Sequence, residues 1–216
     1  IITGDYITIN KNKEKGTFEL EGKTTYNPRG EITQIEITGT SKKLPKQTEH
    51  YMTQVIFQTC YEYETKATPT VCIDTDLMNL KPKSCVPKEE TFTGGQGGPV
   101  EITKIEPKML AQENGVIPSF FIYIKKPKKG IVINQPDIKK ACSGEKADIT
   151  LNKINAEVKL RGDLMDCKKT EIKLGEEEAK MFCTINKTYK KEEGTFTTIL
   201  EINLTYGYMD TESTLI

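Results

Sequence analysis

The sequence predicts an all-β protein made of two β-sandwiches in tandem, with at most one or two short helices. The first observation is a period of two in β-branched and aromatic residues, which places alternate side chains on opposite faces of a strand. The second is the scarcity of helical patterns. The third is a similarity between residues 55–73 and 199–216, which predicts that each sandwich ends in a hairpin. Short turns between predicted strands are typical of sandwiches.

The clearest alternation lies in residues 199–208, ILEINLTYGY, where Leu200, Ile202, Leu204, Tyr206 and Tyr208 share one face. Residues 152–160 alternate in the same way. The run SFFIYIKK, residues 119–126, is apolar on both faces, which suits a central strand. The other strand candidates are residues 5–10, 16–24, 31–40 and 180–185. Short helical turns are predicted for residues 135–143 and 175–181.

The glycine cluster falls between the two similar segments, which predicts the domain boundaries. We expect a first sandwich over residues 1–90, with a disulfide-bounded loop at its end, a connector over 91–98, and a second sandwich over 99–216. The alternative, a phosphate-binding loop, requires a lysine, a Ser/Thr and a helix after the last glycine. A strand-like run follows instead. The predicted connector residues are Gly94, Gly95, Gly97, Gly98 and Pro99.

Composition limits the classes of partner. The chain has 31 basic and 31 acidic residues, interspersed along its length, so it lacks the basic block that nucleic-acid binding requires. Its apolar runs are too short to cross a membrane. Because the chain begins with Ile1 rather than methionine, we expect a processed product whose membrane anchor, if present, lies outside these residues.

Cysteine usage predicts disulfides. The six cysteines contain no C-x-x-C pair, and His50 is the single histidine, which argues against a zinc site. Three disulfides would place the protein in an oxidising, extracytoplasmic compartment, although hyperthermophiles also form them inside the cell. The cysteines are Cys60, Cys72, Cys85, Cys142, Cys167 and Cys183.

Spacing favours one disulfide pairing without excluding another. Cys167 and Cys183 bracket a strand-turn-strand pattern, and Cys72 and Cys85 bracket a loop rich in proline and lysine. This pairing leaves Cys60 with Cys142, a bond that would tie the two domains together. In the rival pairing, Cys60 faces Cys72 across adjacent strands and Cys85 pairs with Cys142.

The motifs for chemistry are incomplete. His50 lies in a charged loop without a second histidine for a triad. Asp74 and Asp76 have the spacing of calcium ligands, but no glycine or downstream glutamate completes the loop pattern. The sequence therefore predicts no catalytic, cofactor-binding or metal site, and no enzyme activity. Asn186 and Asn203 match the N-glycosylation pattern, and the turn-like setting of Asn186 makes it the better acceptor.

Several runs together resemble uncharacterised archaeal proteins that are predicted to be cell-surface or membrane-anchored, with immunoglobulin-like domains. The likeness begins at Cys60, reaches the C-terminus and includes all six cysteines. It implies an exported immunoglobulin-like sandwich with disulfides, held at the envelope, and it carries no activity over. The runs are CYEYETKATPTVCIDTDL (60–77), CVPKEETFTGGQGGPVEITKIEP (85–107), CTINKTY (183–189) and LEINLTYGYM (200–209).

From these patterns we expect a non-enzymatic, extracellular structural protein, a subunit of a filament, pilus or envelope coat. Subunits would assemble by β-strand addition, with themselves or other envelope proteins as partners, because sandwich edges expose unpaired backbone groups. Residues 1–10 are a candidate donor strand or an ordinary first strand. The alternative is an adhesion or recognition module that binds a protein or glycan through loops 41–50, 74–98 and 135–147.

Overall fold

The computed structural model describes residues 2–3, 7–9, 16–17, 19–21, 26–44, 46–78, 82–127, 129–143, 148–175 and 178–216. Within these ranges the chain is all-β, as predicted, and no helix has the length and hydrophobicity to cross a membrane. The helix α1 (Ile138–Ala141) and the 3-10 turn Gln135–Asp137 before it confirm the predicted helical turn there. The strands are β1 (Ile2–Thr3), β2 (Ile7–Ile9), β3 (Gly39–Ser41), β4 (Gln54–Ala67), β5 (Thr70–Asp74), β6 (Glu90–Thr91), β7 (Glu101–Gln112), β8 (Gly115–Lys125), β9 (Ile131–Ile133), β10 (Lys153–Leu160), β11 (Asp163–Leu164), β12 (Asp166–Cys167), β13 (Glu171–Lys173), β14 (Ala179–Thr184), β15 (Tyr189–Lys190) and β16 (Thr195–Leu215).

The chain forms two compact units whose boundaries differ from the predicted ones. The first unit contains Ile1–Thr59 and Asp210–Ile216, and the second contains Cys60–Met209. The division falls inside β4 and β16, so both strands contribute to both units. The predicted connector, 91–98, lies within the second unit instead of between two domains.

The second unit contains two mainly antiparallel sheets. One has the strand order β4-β16-β10-β11, with β13 beside β10 and with β5 and β9 beside β16. The other has the order β12-β14-β8-β7-β6, with β15 beside β8. Since β8 lies between β14 and β7, the prediction of a central strand over residues 119–126 is confirmed.

One apolar core is shared by these two sheets. Alternate residues of β8, β10 and β16 enter it, as the period of two predicts. Ile73 and Ile102, which the sequence assigns to different domains, both belong to this core. The glycine stretch therefore does not separate two cores. The fully buried core residues of the three strands include Phe120, Ile122, Ile124, Ile154, Leu160, Leu200, Ile202, Leu204 and Tyr206.

The two predicted closing hairpins do not form. The strand β16 continues from Thr195 to Leu215 without a turn, and its residues 209–215 contain neither glycine nor proline, the residues that most often interrupt a strand. In the other segment, β5 pairs with residues 195–199 of β16 rather than with β4. The similarity between the two segments thus reflects strand propensity and not a repeated hairpin.

The first unit has little regular structure among its described residues. Its β1 pairs with β4, its β2 pairs with β3, and Thr53 and Ile216 exchange two backbone hydrogen bonds of 3.0 and 2.9 Å. The prediction of a strand over 31–40 is wrong except for its end, since only Gly39–Ser41 is paired. Of the strand predicted for 16–24, residues 16–17 and 19–21 are not in a strand, and the rest lie outside the described residues.

Truncation of the core should test this packing. Ile122 lies in the middle of β8 and is fully buried. We expect Ile122→Ala to lower the free energy of unfolding by about 2–5 kcal/mol, since it loses buried methyl groups and leaves a cavity. The matched control Leu110→Ala removes a partly exposed side chain and should cost less than about 1 kcal/mol. Equilibrium urea unfolding measures both, and equal losses would contradict the proposed core.

Candidate functional site

The six cysteines form three disulfides, and their pairing is the first of the two considered from the sequence. Cys167 and Cys183 are direct partners on β12 and β14. The bond between Cys60 and Cys142 does not tie two domains together, because both residues lie in the second unit. Three disulfides indicate folding in an oxidising environment. The pairs are Cys60–Cys142, Cys72–Cys85 and Cys167–Cys183.

A buried ion pair holds the loop that follows β5. Asp74 is only 5% exposed, and its carboxylate accepts a hydrogen bond of 2.5 Å from the ammonium of Lys83. The same ammonium donates to the carbonyl of Asp76 at 3.0 Å. A lysine therefore takes the place beside these two aspartates where a calcium ion was considered. In the described part of the chain, no group of three or more His, Cys, Asp or Glu side chains could hold a metal.

The predicted connector is a loop fixed against β4 and β16. The amide side chain of Gln96 makes two hydrogen bonds with the backbone of Ile102, of 2.8 and 2.9 Å. The hydroxyl of Tyr63 donates to the carbonyl of Gly97 at 3.2 Å. A Cβ atom on Gly98 would lie 2.3 Å from Thr65 Oγ1 and 3.0 Å from the ring of Tyr63. Glycine at 98 is thus required by close approach.

A buried hydroxyl network lies beneath this loop. Thr65 Oγ1 donates to the carbonyl of Val100 at 3.0 Å, and the Val100 N–H donates to the hydroxyl of Tyr206 at 3.1 Å. The Thr65 and Tyr206 hydroxyls are 2.8 Å apart; since Thr65 donates elsewhere, Tyr206 is the donor. Burial raises the pKa of Tyr206 to about 12, although the hydrogen bonds with Thr65 and Val100 oppose this rise.

The two glycosylation sequons differ in accessibility. Asn186 is exposed on a bend between β14 and β15. Asn203 lies within β16, opposite Glu157 of β10, and is half-buried. Because an acceptor asparagine must be reached by a transferase on the surface, the geometry favours Asn186 over Asn203.

A strand-like segment of the first unit has no strand partner among the residues that the structure describes. Residues 32–37, here named the exposed segment, make no backbone hydrogen bond with another described residue. Ile32 is 83% exposed and Ile35 is 54% exposed. Exposed isoleucines are costly in water, and this composition favours extended strands. The exposed segment is therefore suited to pair with a partner.

The outer side of the β7-β8-β14 sheet carries aromatic rings covered by lysines. Across the sheet, Lys104 and Lys180 lie on either side of Tyr123, and Phe182 lies opposite Phe121. The two phenylalanine rings have centroids 4.7 Å apart. The three rings are half-buried, whereas Lys180 is exposed. We name this surface the aromatic–lysine face; it consists of Lys104, Phe121, Tyr123, Lys168, Lys180 and Phe182.

The lysine ammonium groups contact ring faces. Lys180 Nζ lies 3.8 Å from the ring centroid of Phe121 and 5.0 Å from that of Tyr123. Lys104 Nζ lies 4.2 Å from the centroid of Tyr123, and Lys168 Nζ lies 5.5 Å from that of Phe182. Such cation–π contacts keep the rings from being bare apolar surface while the charges stay in water.

Among the described residues, ion pairs of this face form only on its β7 side, although the charge of Lys180 also acts on Glu106. Lys104 pairs with Glu89 at 3.3 Å, and Lys108 pairs with Glu106 at 2.7 Å. Hydrogen bonds from Lys108 and Tyr123 lower the pKa of Glu106. Desolvation alone would lower the pKa of Lys104, but the hydrogen bond and charge of Glu89 outweigh it and the pKa is raised. On the β14 side, no carboxylate of the described residues lies within 4.0 Å of Lys168 or Lys180.

Sequence reasoning missed the aromatic–lysine face. The run over 119–126 is apolar on both faces, and this pattern predicts a central strand but not what covers its outer side. The alternation of Lys180 and Phe182 in β14 was a usable signal. Which lysines lie over which rings depends on the strand order, because only the order β14-β8-β7 makes residues 104, 121 and 182 neighbours in one sheet.

Substitution of Gly98 should test the loop contact. We expect Gly98→Ala to lower the free energy of unfolding by roughly 1–3 kcal/mol, because its methyl group would displace Thr65 from the hydroxyl network. The control Gly16→Ala adds a methyl group with nothing within 4 Å, and should change stability by less than about 0.5 kcal/mol. Urea unfolding compares the two; an unchanged Gly98→Ala protein would show that the loop is loosely held.

The pKa of Tyr206 predicts a pH dependence. In the unfolded chain the phenol ionises near its ordinary value of 10.0, while the folded chain retains the proton to about 12. This group therefore contributes stability in full below pH 10, and the contribution is lost as the pH rises towards 12. Stability measured between pH 9 and 11.5 should fall less steeply in Tyr206→Phe than in the wild type. The control Tyr26→Phe alters a fully exposed ring and should keep the wild-type slope; equal slopes in all three proteins would contradict the prediction.

Comparison with known proteins gives no relative: no family model, no curated protein and no solved structure matches this chain.

Proposed function

We propose that this chain is a non-enzymatic structural protein of the archaeal cell surface, a subunit of an extracellular filament or coat that assembles by β-strand addition. The observation that carries the proposal is the exposed segment, residues 32–37. Its sequence favours a strand, its Ile32 and Ile35 are exposed, and it lacks backbone partners among the described residues. If the exposed segment pairs with a strand of a second copy, its backbone N–H and C=O groups gain hydrogen-bond partners.

An open sheet edge on the second copy offers the complementary partner. On the side of β7 away from β8, β6 pairs only with Lys104 and Ile105. Among described strands none pairs with residues 108–112 on that side. Pro107, which has no N–H, marks the start of this open stretch. Edges of this kind add strands readily, because main-chain hydrogen bonds supply affinity without a preformed pocket.

The disulfides support a role outside the cell. An extracellular subunit must keep its acceptor sheet folded without chaperones, and the three covalent bonds all lie in the second unit, which carries that sheet. In the chain-entropy model, the loops of 13 and 16 residues add about 3 kcal/mol each, and the 82-residue loop adds more, up to about 4.7 kcal/mol. The mixed-charge surface and the absence of a catalytic motif agree with a structural role.

The alternative function, recognition through loops 41–50, 74–98 and 135–147, has less support. Those loops contain a single aromatic residue, Phe92, and its side chain packs against the apolar core. Recognition surfaces are usually enriched in exposed aromatic residues. The loops lack them.

A proline in the exposed segment should block assembly. Ile35→Pro removes an N–H group and fixes φ, so residues 32–37 could no longer complete a strand ladder. We expect wild-type protein to form concentration-dependent oligomers or filaments in sedimentation velocity and electron microscopy, and Ile35→Pro to stay monomeric. The control Lys43→Pro introduces the same residue outside the exposed segment and should assemble. A wild type that stays monomeric at millimolar concentration, or an Ile35→Pro protein that still polymerises, would overturn the proposal.

A further inference from the structure

We propose that the aromatic–lysine face binds an acidic polysaccharide, one built of sugar rings that carry carboxylate groups. The proposal is independent of assembly by strand addition. The observation that carries it is the combination of half-buried rings with two ammonium groups that have no carboxylate of the described residues within 4.0 Å, all on one outer sheet surface.

The rings provide a stacking platform. Phe121 and Phe182 are direct partners on neighbouring strands, and Tyr123 lies two residues from Phe121 on the same strand. All three side chains therefore project from one face of the sheet and span two strands, about 4.8 Å apart. A sugar ring presents C–H groups on its faces. Such a surface packs well against rigid aromatic rings that are half-buried in the sheet.

The lysines provide charge complementarity on the same platform. Lys180 and Lys168 contact Phe121 and Phe182, and neither has a carboxylate partner in the described ranges. An ammonium group that lies over a ring can swing aside to a ligand carboxylate, which uncovers the ring face for the sugar. A sugar stacked on the two phenylalanines would thus lie between two cations.

The acidic residues of the face indicate which polyanion fits. Glu89 and Glu106 neutralise the lysines near β7, so two ammonium groups on the β14 side remain for a ligand. A nucleic acid carries a dense row of phosphates and requires many unpaired cations. A polysaccharide with widely spaced carboxylates requires few unpaired cations, and the apolar faces of its sugar rings also pack against the aromatic side chains. The face therefore matches an acidic polysaccharide better than a nucleic acid.

Titration calorimetry with polygalacturonate tests the proposal on the full chain with its disulfides intact. We expect the wild type to bind this polymer at moderate ionic strength, with an affinity that falls as salt is added. The charge variant Lys168→Gln/Lys180→Gln should weaken binding roughly tenfold or more. The ring variant Phe182→Leu, which keeps an apolar side chain and all charges, should also weaken it. Thermal unfolding checks that each variant is folded.

Two matched controls separate this site from general attraction. Lys42→Gln/Lys43→Gln removes the same charge from exposed positions elsewhere and should bind as the wild type does. Fully methyl-esterified polygalacturonate has the same sugar rings without charge and should bind much more weakly. The proposal is overturned if the wild type does not bind, if both double variants lose equal affinity, or if the ester binds equally well. It is also overturned if Lys168→Gln/Lys180→Gln abolishes self-association, since the face would then contact a second copy.

Discussion

Burial of alternate side chains from β8, β10 and β16 in one core is the constraint on which the second unit depends. These strands supply the fully buried Phe120, Leu160 and Leu200, and their neighbours in the two sheets are ordered around them. Each buried residue fixes the direction of the next, because successive side chains of a strand point to opposite sides. The outward positions of Phe121 and Tyr123 are therefore a consequence of the core.

The same core explains why the glycine stretch is fixed. Val100 is fully buried, so the chain just before it must pass close to β4 and β16. Only glycine at 98 allows this approach, and the hydroxyls of Thr65 and Tyr206 satisfy the backbone of Val100 there. The glycine-rich composition, which suggests flexibility in the sequence, thus permits close packing in the structure. Gly94, Gly95 and Gly97 have positive φ angles, which turn the chain.

Segments with strand-forming sequence pair with neighbouring strands in the second unit, whereas one such segment in the first unit does not. In the second unit, alternating runs find partners on both sides, and their polar faces are covered by ion pairs and cation–π contacts. In the first unit, residues 32–37 have the composition of a strand but no strand partner among the described residues. Propensity alone does not make a strand, because the hydrogen bonds must come from a neighbouring chain segment. This is why the prediction for 31–40 was wrong and those for 152–160 and 199–208 were right.

The sequence by itself determined the all-β class, the buried faces of β10 and β16 and the helical turn near residue 138, and it favoured the observed cysteine pairs over a rival pairing. The class, the faces and the turn depend on local periodicity, and the Cys72–Cys85 and Cys167–Cys183 pairs depend on short loops that bring nearby segments together. Tertiary structure alone decided that β5 joins β16, that residues 91–98 lie inside one unit, and that lysines of β7 and β14 lie over the rings of β8. Each of these depends on which distant strands become neighbours, and that choice is made by the fit of the whole core rather than by any single segment.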